Sequence, residues 1–269
     1  MRAIGCPYFQ RAFGWCVPIG GLSGLIGLGG GEFRLPVLMY AIGFNAKSAV
    51  PLNLAVSLIT LSLAFIVRSP IVPITAIAPH VPEVLGLACG GVASAFYAAP
   101  LVQILSIQRL EQIIGALLAA IGCLMLVEAA HPFAESQLLP GGAGLHFILG
   151  IGIGLAVGLM SSILGVAGGE LLIPALILVF GADIKTAGST SIFISIAVVL
   201  SGLFQYWRMN AIPKGQGAKR IASAMSAGSI VGAALGGLAV AYAPAVFLKV
   251  ILGCLLIATA AKTVGTKAL

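Results

Sequence analysis

The sequence contains very little charge. Of its 269 residues, only 8% are Asp, Glu, Lys or Arg, whereas a water-soluble domain needs roughly a quarter to cover its surface. Hydrophobic residues make up 60% of the chain, and the mean hydropathy is +1.15. These values exclude a soluble globular domain and predict helices surrounded by lipid. No segment is polar enough for a separate soluble domain, so we expect residues 1–269 to form a single membrane domain.

The residue types that enzymes and metal sites use are also scarce. Asp183 is the single aspartate, which excludes Asp-rich metal or diphosphate motifs. The histidines (His80, His131 and His146) lack metal-ligand spacing, and the five cysteines include no CxxC pair. A nucleotide-binding Walker sequence is missing too. We therefore expect no enzymatic activity, no metal and no cofactor.

The net charge of +7 does not indicate a nucleic-acid partner. The basic residues stand near the ends of apolar runs, as Arg208, Lys214 and Lys262 do. This is the positive-inside pattern of membrane proteins. It predicts a multi-pass protein of the cell inner (cytoplasmic) membrane, with lipid as its partner and both termini in the cytoplasm.

Apolar runs long enough to cross a bilayer, which takes about 20 residues, recur along the chain. The first run ends in glycines and is followed by a short apolar segment. The same pattern restarts after a polar linker, residues 131–144. The predicted spans are 12–28, 48–67, 73–105, 110–130, 145–164, 186–207, 217–243 and 245–264.

The two halves of the chain repeat each other 138 residues apart. Gly27–Pro36 matches Gly165–Pro174 in its glycines, its glutamate and its proline. Chance similarity between apolar helices does not align these residue types in one register, so we predict that 12–130 and 145–264 are homologous repeats. The predicted fold is an all-α polytopic membrane protein. Each repeat has a glycine-broken or re-entrant helix followed by three spanning helices.

Two arrangements of the repeats fit the sequence. If each broken segment crosses the membrane, the repeats are parallel; if each is a re-entrant hairpin, they are inverted. Both arrangements put both termini in the cytoplasm. The linker 131–144 has no Lys or Arg and contains Glu135, which suits the outside and favours inverted repeats.

The broken segments point to a transport site. A break exposes backbone N–H and C=O groups that lipid cannot satisfy, and matched breaks in two halves are a sequence pointer to a transporter's binding site. Glycine lets successive N–H groups form a nest at a helix start, which attracts an anion. The alternative is that glycine only permits tight helix packing. We favour packing for Gly228, Gly232 and Gly236, which lie in an unbroken span.

The candidate substrate-binding residues are the break glycines and the polar residues near them. They are Gly29, Gly30, Gly31, Arg34, Asn53, Gly165, Gly168, Gly169, Thr190 and Ser191. Arg34 has no counterpart in the second half, where Leu172 stands. Three roles are open for Arg34: pairing with Glu32, contact with an anionic substrate, or a position at the membrane interface.

Glu32 and Glu170 are ionisable residues inside apolar segments, where burial is costly and a functional role is the first hypothesis. Each stands where a helix would begin. Proton coupling and capping of the broken backbone are both open as roles. Direct binding of an anion is disfavoured, because a carboxylate repels it.

These residues resemble the sulfite exporter family often called TauE/SafE, whose members have a duplicated unit with a glycine-rich break followed by a proline. The stretch 165–188, GVAGGELLIPALILVFGADIKTAG, looks especially typical, and the resemblance covers nearly the whole chain. Two departures are Ala167, which replaces a glycine, and Arg34, which is not a general family feature. The resemblance implies secondary transport of small sulfur-containing anions such as sulfite or organosulfonates.

The residues and the resemblance together predict an exporter of sulfite or an organosulfonate that the proton motive force drives. A passive anion channel and a secondary transporter of another small organic anion are the alternatives. A membrane enzyme or assembly factor would need catalytic residues that we do not find. A homo-oligomer stays open, because small-residue stripes pack helices within one chain or between two.

Overall fold

The structure, a computed structural model, describes residues 6–72, 74–101, 107–130 and 142–265. Every regular element in these residues is helical. The helices are α1 (Cys6–Ile26), α2 (Gly31–Pro36), α3 (Ala46–Arg68), α4 (Val81–Leu101), α5 (Ile107–Ala130), α6 (Ala143–Leu164), α7 (Gly169–Leu178), α8 (Ile184–Arg208), α9 (Gln216–Ala239) and α10 (Ala245–Gly265). Among the described residues, five helices are long and apolar enough to cross a membrane.

The predicted span 73–105 is not one helix. A 3₁₀ segment, Ile74–His80, precedes α4, which begins at Val81. Pro82 stands in the first turn of α4, where a helix needs no N–H from it. The proline-rich stretch therefore sets the start of the helix instead of extending it.

The long helices that follow the breaks begin with matching caps. The side chain of Asn45 accepts a hydrogen bond from the N–H of Ser48 at 2.9 Å at the start of α3. Asp183, 138 residues later, accepts from the N–H groups of Lys185 (3.0 Å) and Thr186 (3.1 Å) at the start of α8. Such side chains satisfy N–H groups that the first helical turn leaves free.

The chain turns back after α1. The guanidinium of Arg68, at the end of α3, donates to the carbonyl oxygen of Gly24, near the end of α1, at 3.0 Å. The two helices therefore end side by side and run in the same direction. Leu38, beyond the break, packs in one cluster with Ala12, near the start of α1. So α2 and the π-helical turn Val37–Ala41 return alongside α1 as a hairpin.

The second half has the same relation between its helices. The hydroxyl of Tyr206, near the end of α8, donates to the carbonyl oxygen of Ser162, near the end of α6, at 2.9 Å. α3 and α8 run antiparallel, because Arg68 at the end of α3 bonds to Ser189 at the start of α8. It follows that α1 points opposite to α6, and α3 opposite to α8.

The long helix of each half that precedes the glycine break packs most closely on a helix from the other half. α1 lies along α9, and α6 lies along α4. A Cβ atom at Gly228, Gly232 or Gly236 of α9 would overlap a backbone carbonyl oxygen of α1, so the packing interpretation of these glycines is confirmed. α3 and α8 contact each other and both of these pairs, which places them at the centre of the protein.

Candidate functional site at the two glycine breaks

The two glycine breaks lie against each other inside the protein. The amide nitrogen Nδ2 of Asn53, on α3, donates to the carbonyl oxygens of Gly31 (2.7 Å) and Gly165 (2.8 Å), so one side chain joins both breaks. Ser191 stands 138 residues after Asn53, on α8, and donates to the carbonyl oxygen of Gly27 at 3.4 Å. Each half therefore bonds to the break of the other half.

At the breaks, glycine is required both by the left-handed backbone conformation and by the lack of space for a side chain. Gly30 and Gly168 immediately precede α2 and α7, with left-handed φ angles of 69° and 80°, which cost other residues about 1–2 kcal/mol. A Cβ atom at Gly169 would lie 2.8 Å from the Cα of Leu28. The two break backbones are in direct contact, and an anion can enter between them only if they move apart.

Glu32 and Glu170 stand in the first turn of α2 and α7. Both are buried, with exposed fractions of 8% and 3%. The two carboxyl groups interact electrostatically. The breaks thus bring two acids that are far apart in sequence into one carboxyl pair.

Arg34 is fully buried between α2, α3 and α9. The guanidinium has five N–H groups, and all five donate hydrogen bonds to neutral oxygen atoms. We call the residues that supply these oxygens the arginine cage. The cage consists of the side-chain oxygens of Asn53 (3.3 Å), Ser57 (2.6 Å), Thr60 (2.8 Å) and Ser229 (3.0 Å) and the carbonyl oxygen of Gly29 (2.6 Å). A position of Arg34 at the membrane interface is therefore wrong.

The second half has no such cage. Leu172 stands where the first half has Arg34, and Val198 where it has Thr60. Ser195, the counterpart of Ser57, is buried, and its hydroxyl has no hydrogen-bond partner within the described part of the chain. The two breaks therefore differ in charge: a caged cation adjoins the first, and an apolar side chain adjoins the second.

Most of the predicted site residues meet at this junction. Thr190 is buried next to Ser191, but its hydroxyl bonds to neither break among the residues described. The residues that the junction brings together are Gly29, Gly30, Gly31, Glu32, Arg34, Asn53, Gly165, Gly168, Gly169, Glu170 and Ser191.

Two buried polar residues near this site were not predicted from the sequence. Arg68 is 1% exposed and also donates to the carbonyl oxygen of Lys185 at 3.0 Å, so it ties α3 to α1 and α8. Tyr206 ties α8 to α6. The two residues are 138 positions apart, and a long polar side chain at the same place in both halves was a signal that could have found them.

A further buried pair joins the starts of α4 and α6. Nδ1 of His146 lies 2.7 Å from Oε1 of Glu83, and the imidazole ring packs edge-on against Phe180. The two residues are 63 positions apart, so no local spacing could have indicated the contact. Within the described ranges, no group of three or more His, Cys, Asp or Glu side chains is placed to hold a metal ion.

The family model described as "Sulfite exporter TauE/SafE" matches residues 12–263. The chain belongs to the TauE/SafE family. Membership in this transporter family, together with the five long apolar helices, identifies a multi-pass membrane protein. Searches of curated proteins and of solved structures returned no match.

Proposed function

We propose that this TauE/SafE protein exports sulfite or an organosulfonate as a secondary transporter driven by the proton motive force. The observation that carries the proposal is the buried junction where two glycine breaks, two helix starts and a carboxyl pair meet. Helix starts attract small anions through their free N–H groups, and carboxyl groups buried in membrane proteins form proton relays. Substrate and coupling proton thus have binding groups in one place, as in other transporters with broken helices.

The fold that we infer for this function is a pair of inverted repeats, residues 12–130 and 145–264, in a single membrane domain. Its support is the antiparallel orientation of α1 relative to α6 and of α3 relative to α8. Each repeat then has a re-entrant hairpin and three crossing helices. From the distribution of the basic residues along the sequence, we infer that the protein lies in the inner membrane of the cell with both termini in the cytoplasm.

The anion binds, in this proposal, between the separated breaks, at the N–H groups that begin α2 and α7. The present contact between Gly169 and Leu28 corresponds to a closed conformation, and movement of the hairpins against α3 and α8 would open it to one side at a time. Arg34 contributes positive potential rather than direct bonds, because its N–H groups are already occupied. Asn53, Thr190 and Ser191 complete the polar surroundings.

Flux of radiolabelled sulfite into proteoliposomes under an imposed pH gradient tests the proposal. We expect accumulation that a protonophore abolishes and that sulfoacetate or sulfate reduces by competition, with empty liposomes as the control. Flux that only equilibrates would indicate the passive anion channel instead. No flux of any sulfur anion would remove the substrate assignment.

A further inference from the structure

Arg68 is buried like Arg34, but its hydrogen bonds leave one donor available. Four of the five N–H groups of its guanidinium donate to oxygen atoms of α1 and α8. The acceptors are the hydroxyl of Ser189 (3.1 Å) and the carbonyl oxygens of Gly24 (3.0 Å), Leu25 (3.1 Å) and Lys185 (3.0 Å). Among the described residues, the second N–H of Nη2 has no acceptor, whereas Arg34 has an acceptor for every N–H.

A small cavity adjoins this guanidinium. It lies between the end of α3, the 3₁₀ segment Ile74–His80 and the start of α8, and its polar lining comes from Arg68, Ser69 and Ser189. In the closed conformation it has room for about one water molecule. A buried cation with an available N–H group, two hydroxyl groups and otherwise apolar walls are suited to bind a small oxyanion once the space widens.

The cavity lies close to the first glycine break. A Cβ atom at Gly188, the residue before Ser189, would lie 2.8 Å from Nη2 of Arg68 and would also overlap the carbonyl oxygen of Ile26. A Cβ atom at Gly27 would overlap the carbonyl oxygen of Gly188. One residue of α8 therefore separates the guanidinium from the break. In the proposed topology the start of α8 faces the outside, so Arg68 lies on the outward side of the junction.

The inward side of the junction has no cation at the equivalent place. Tyr206 stands 138 positions after Arg68, and its hydroxyl donates to the carbonyl oxygen of Ser162 at 2.9 Å. A phenol is neutral at the pH of a cell, whereas an arginine keeps its charge. Asp183, the acidic residue at the start of α8, is exposed, so water and salt screen its charge. The two sides of the junction therefore differ in their attraction for an anion.

We propose that Arg68, Ser69 and Ser189 form an outward anion-binding site, which receives sulfite or an organosulfonate after it leaves the glycine breaks. The inference rests on the proposed function, which supplies the anion and the separation of the breaks that widens the cavity. The second N–H of Nη2 donates to one oxygen of the anion, and the two hydroxyl groups donate to the others. The anion is thus released to the outside from a cationic site that the inward side does not have.

Protection from thiol labelling tests the site without any need for transport. In a background without the five native cysteines, Ser69→Cys puts a thiol in the cavity, and Pro70→Cys puts one at an exposed neighbouring position outside it. The probe is sulfoacetate, because sulfite itself reacts with thiol reagents. Sulfoacetate should slow the labelling of Ser69→Cys by an impermeant reagent severalfold and leave Pro70→Cys unchanged. Protection of both positions, or of neither, would overturn the proposal.

Variants of Arg68 measure its share in binding. Arg68→Gln in the Ser69→Cys protein should raise the sulfoacetate concentration for half-maximal protection by about tenfold or more, the effect of losing a hydrogen bond to a charged group. Arg68→Lys keeps the charge and should have a smaller effect. An unchanged concentration in Arg68→Gln would contradict the binding role.

A second pair of variants leaves Arg68 in place, because Arg68 also ties α3 to α1 and α8. Ile77→Phe enlarges a side chain of the cavity wall and should weaken protection of Ser69→Cys. Ile66→Phe is the matched control, since Ile66 is 66% exposed on α3 and does not line the cavity. Equal protection in the two variants would refute binding in this cavity.

Two results separate this inference from the proposed function. If the wild-type protein moves no sulfur anion, the proposed function fails, and the labelling still decides whether an anion binds beside Arg68. Coupled sulfite flux without protection of Ser69→Cys would overturn the inference and leave the proposed function in place. In intact cells Ser69→Cys should react with the impermeant reagent directly, and a reaction only after the membrane is opened would overturn the outward position.

Discussion

At the scale of single residues, the side chain of Asn53 links the two glycine breaks by hydrogen bonds. One amide nitrogen supplies two N–H groups, and each bonds to a carbonyl of a different break. Its Oδ1 also accepts from Nε of Arg34. The carboxamide is thereby linked to both breaks and to the arginine cage at once, and separation of the breaks must break at least one of these bonds.

Asn53→Leu, which keeps the side-chain size and removes every hydrogen bond, should therefore lower both stability and sulfite flux. Each buried polar partner left unsatisfied costs about 1–3 kcal/mol, and each kcal/mol lowers the Tm by roughly 2–4 °C in a protein of about this size. Thermal unfolding in detergent and proteoliposome flux measure the two effects. Ser191→Ala is the control, because it removes one longer bond and should cost about 0.5 kcal/mol. Equal losses in both variants would contradict the bridging role.

The residues of the site differ in how far the sequence could predict them. Gly30 and Gly168 were recognisable because a helix start after a left-handed glycine is a local property, and the repeat marks it twice. The hydrogen-bond partners of Arg34 could not be recognised in the sequence, because Thr60 and Ser229 come from other helices. The sequence left three roles open for Arg34, and only the folded chain excludes the membrane interface.

At the scale of elements, glycines on one face of a helix select its partner. In α6, a Cβ atom at Gly154 would lie 2.9 Å from the backbone nitrogen of Gly91 on α4, whereas a Cβ at Gly152 meets nothing within 4 Å. The two glycines are two residues apart on one helix, but Gly154 is in close contact with the backbone of α4 and Gly152 has open space beside it. Close backbone approach of α6 to α4 thus depends on one of them and not on the other.

The pair Gly154→Ala and Gly152→Ala tests this dependence. Gly154→Ala should destabilise the protein by about 1–3 kcal/mol through overpacking. Gly152→Ala should be neutral or stabilising by up to about 1 kcal/mol, because alanine favours helix more than glycine does. Thermal unfolding in detergent and the monodisperse fraction in size-exclusion chromatography give the comparison. A stabilised Gly154→Ala variant would show that α4 and α6 are not packed as described.

Helix positions were largely predictable from apolar runs, while two features of the elements were not. The start of α4 at Val81 fell inside a predicted span, because hydropathy does not distinguish a 3₁₀ segment from an α-helix. The return of α2 alongside α1 was one of two options. It depends on contacts between distant residues, such as Arg68 with Gly24, which no local pattern contains.

At the scale of the whole molecule, the orientation of the repeats decides which side each residue faces. Lys47 and Lys185 stand at equivalent positions in the first turns of α3 and α8, and Lys47 is exposed. Because α3 and α8 run antiparallel, we expect the two residues on opposite sides of the membrane. The linker that favoured this arrangement in the sequence lies mostly outside the described residues.

Cysteine labelling tests the orientation in a background without the five native cysteines. A membrane-impermeant thiol reagent added to intact cells should label Lys185→Cys directly and Lys47→Cys only after the membrane is opened. Parallel repeats would put position 47 outside as well. Labelling of Lys47→Cys in intact cells would therefore refute the inverted repeats and leave the helix contacts within each half in place.

The cross-half packing of α1 on α9 also has a consequence for biogenesis. α1 docks on a helix that is synthesised about 200 residues later, and at 5–20 residues per second this delay is roughly 10–40 s. During that interval the glycine-lined face of α1 and the polar backbone of its break are without their final partners. The insertion machinery or lipid must shelter this hairpin until the second half arrives, so neither half is a complete folding unit.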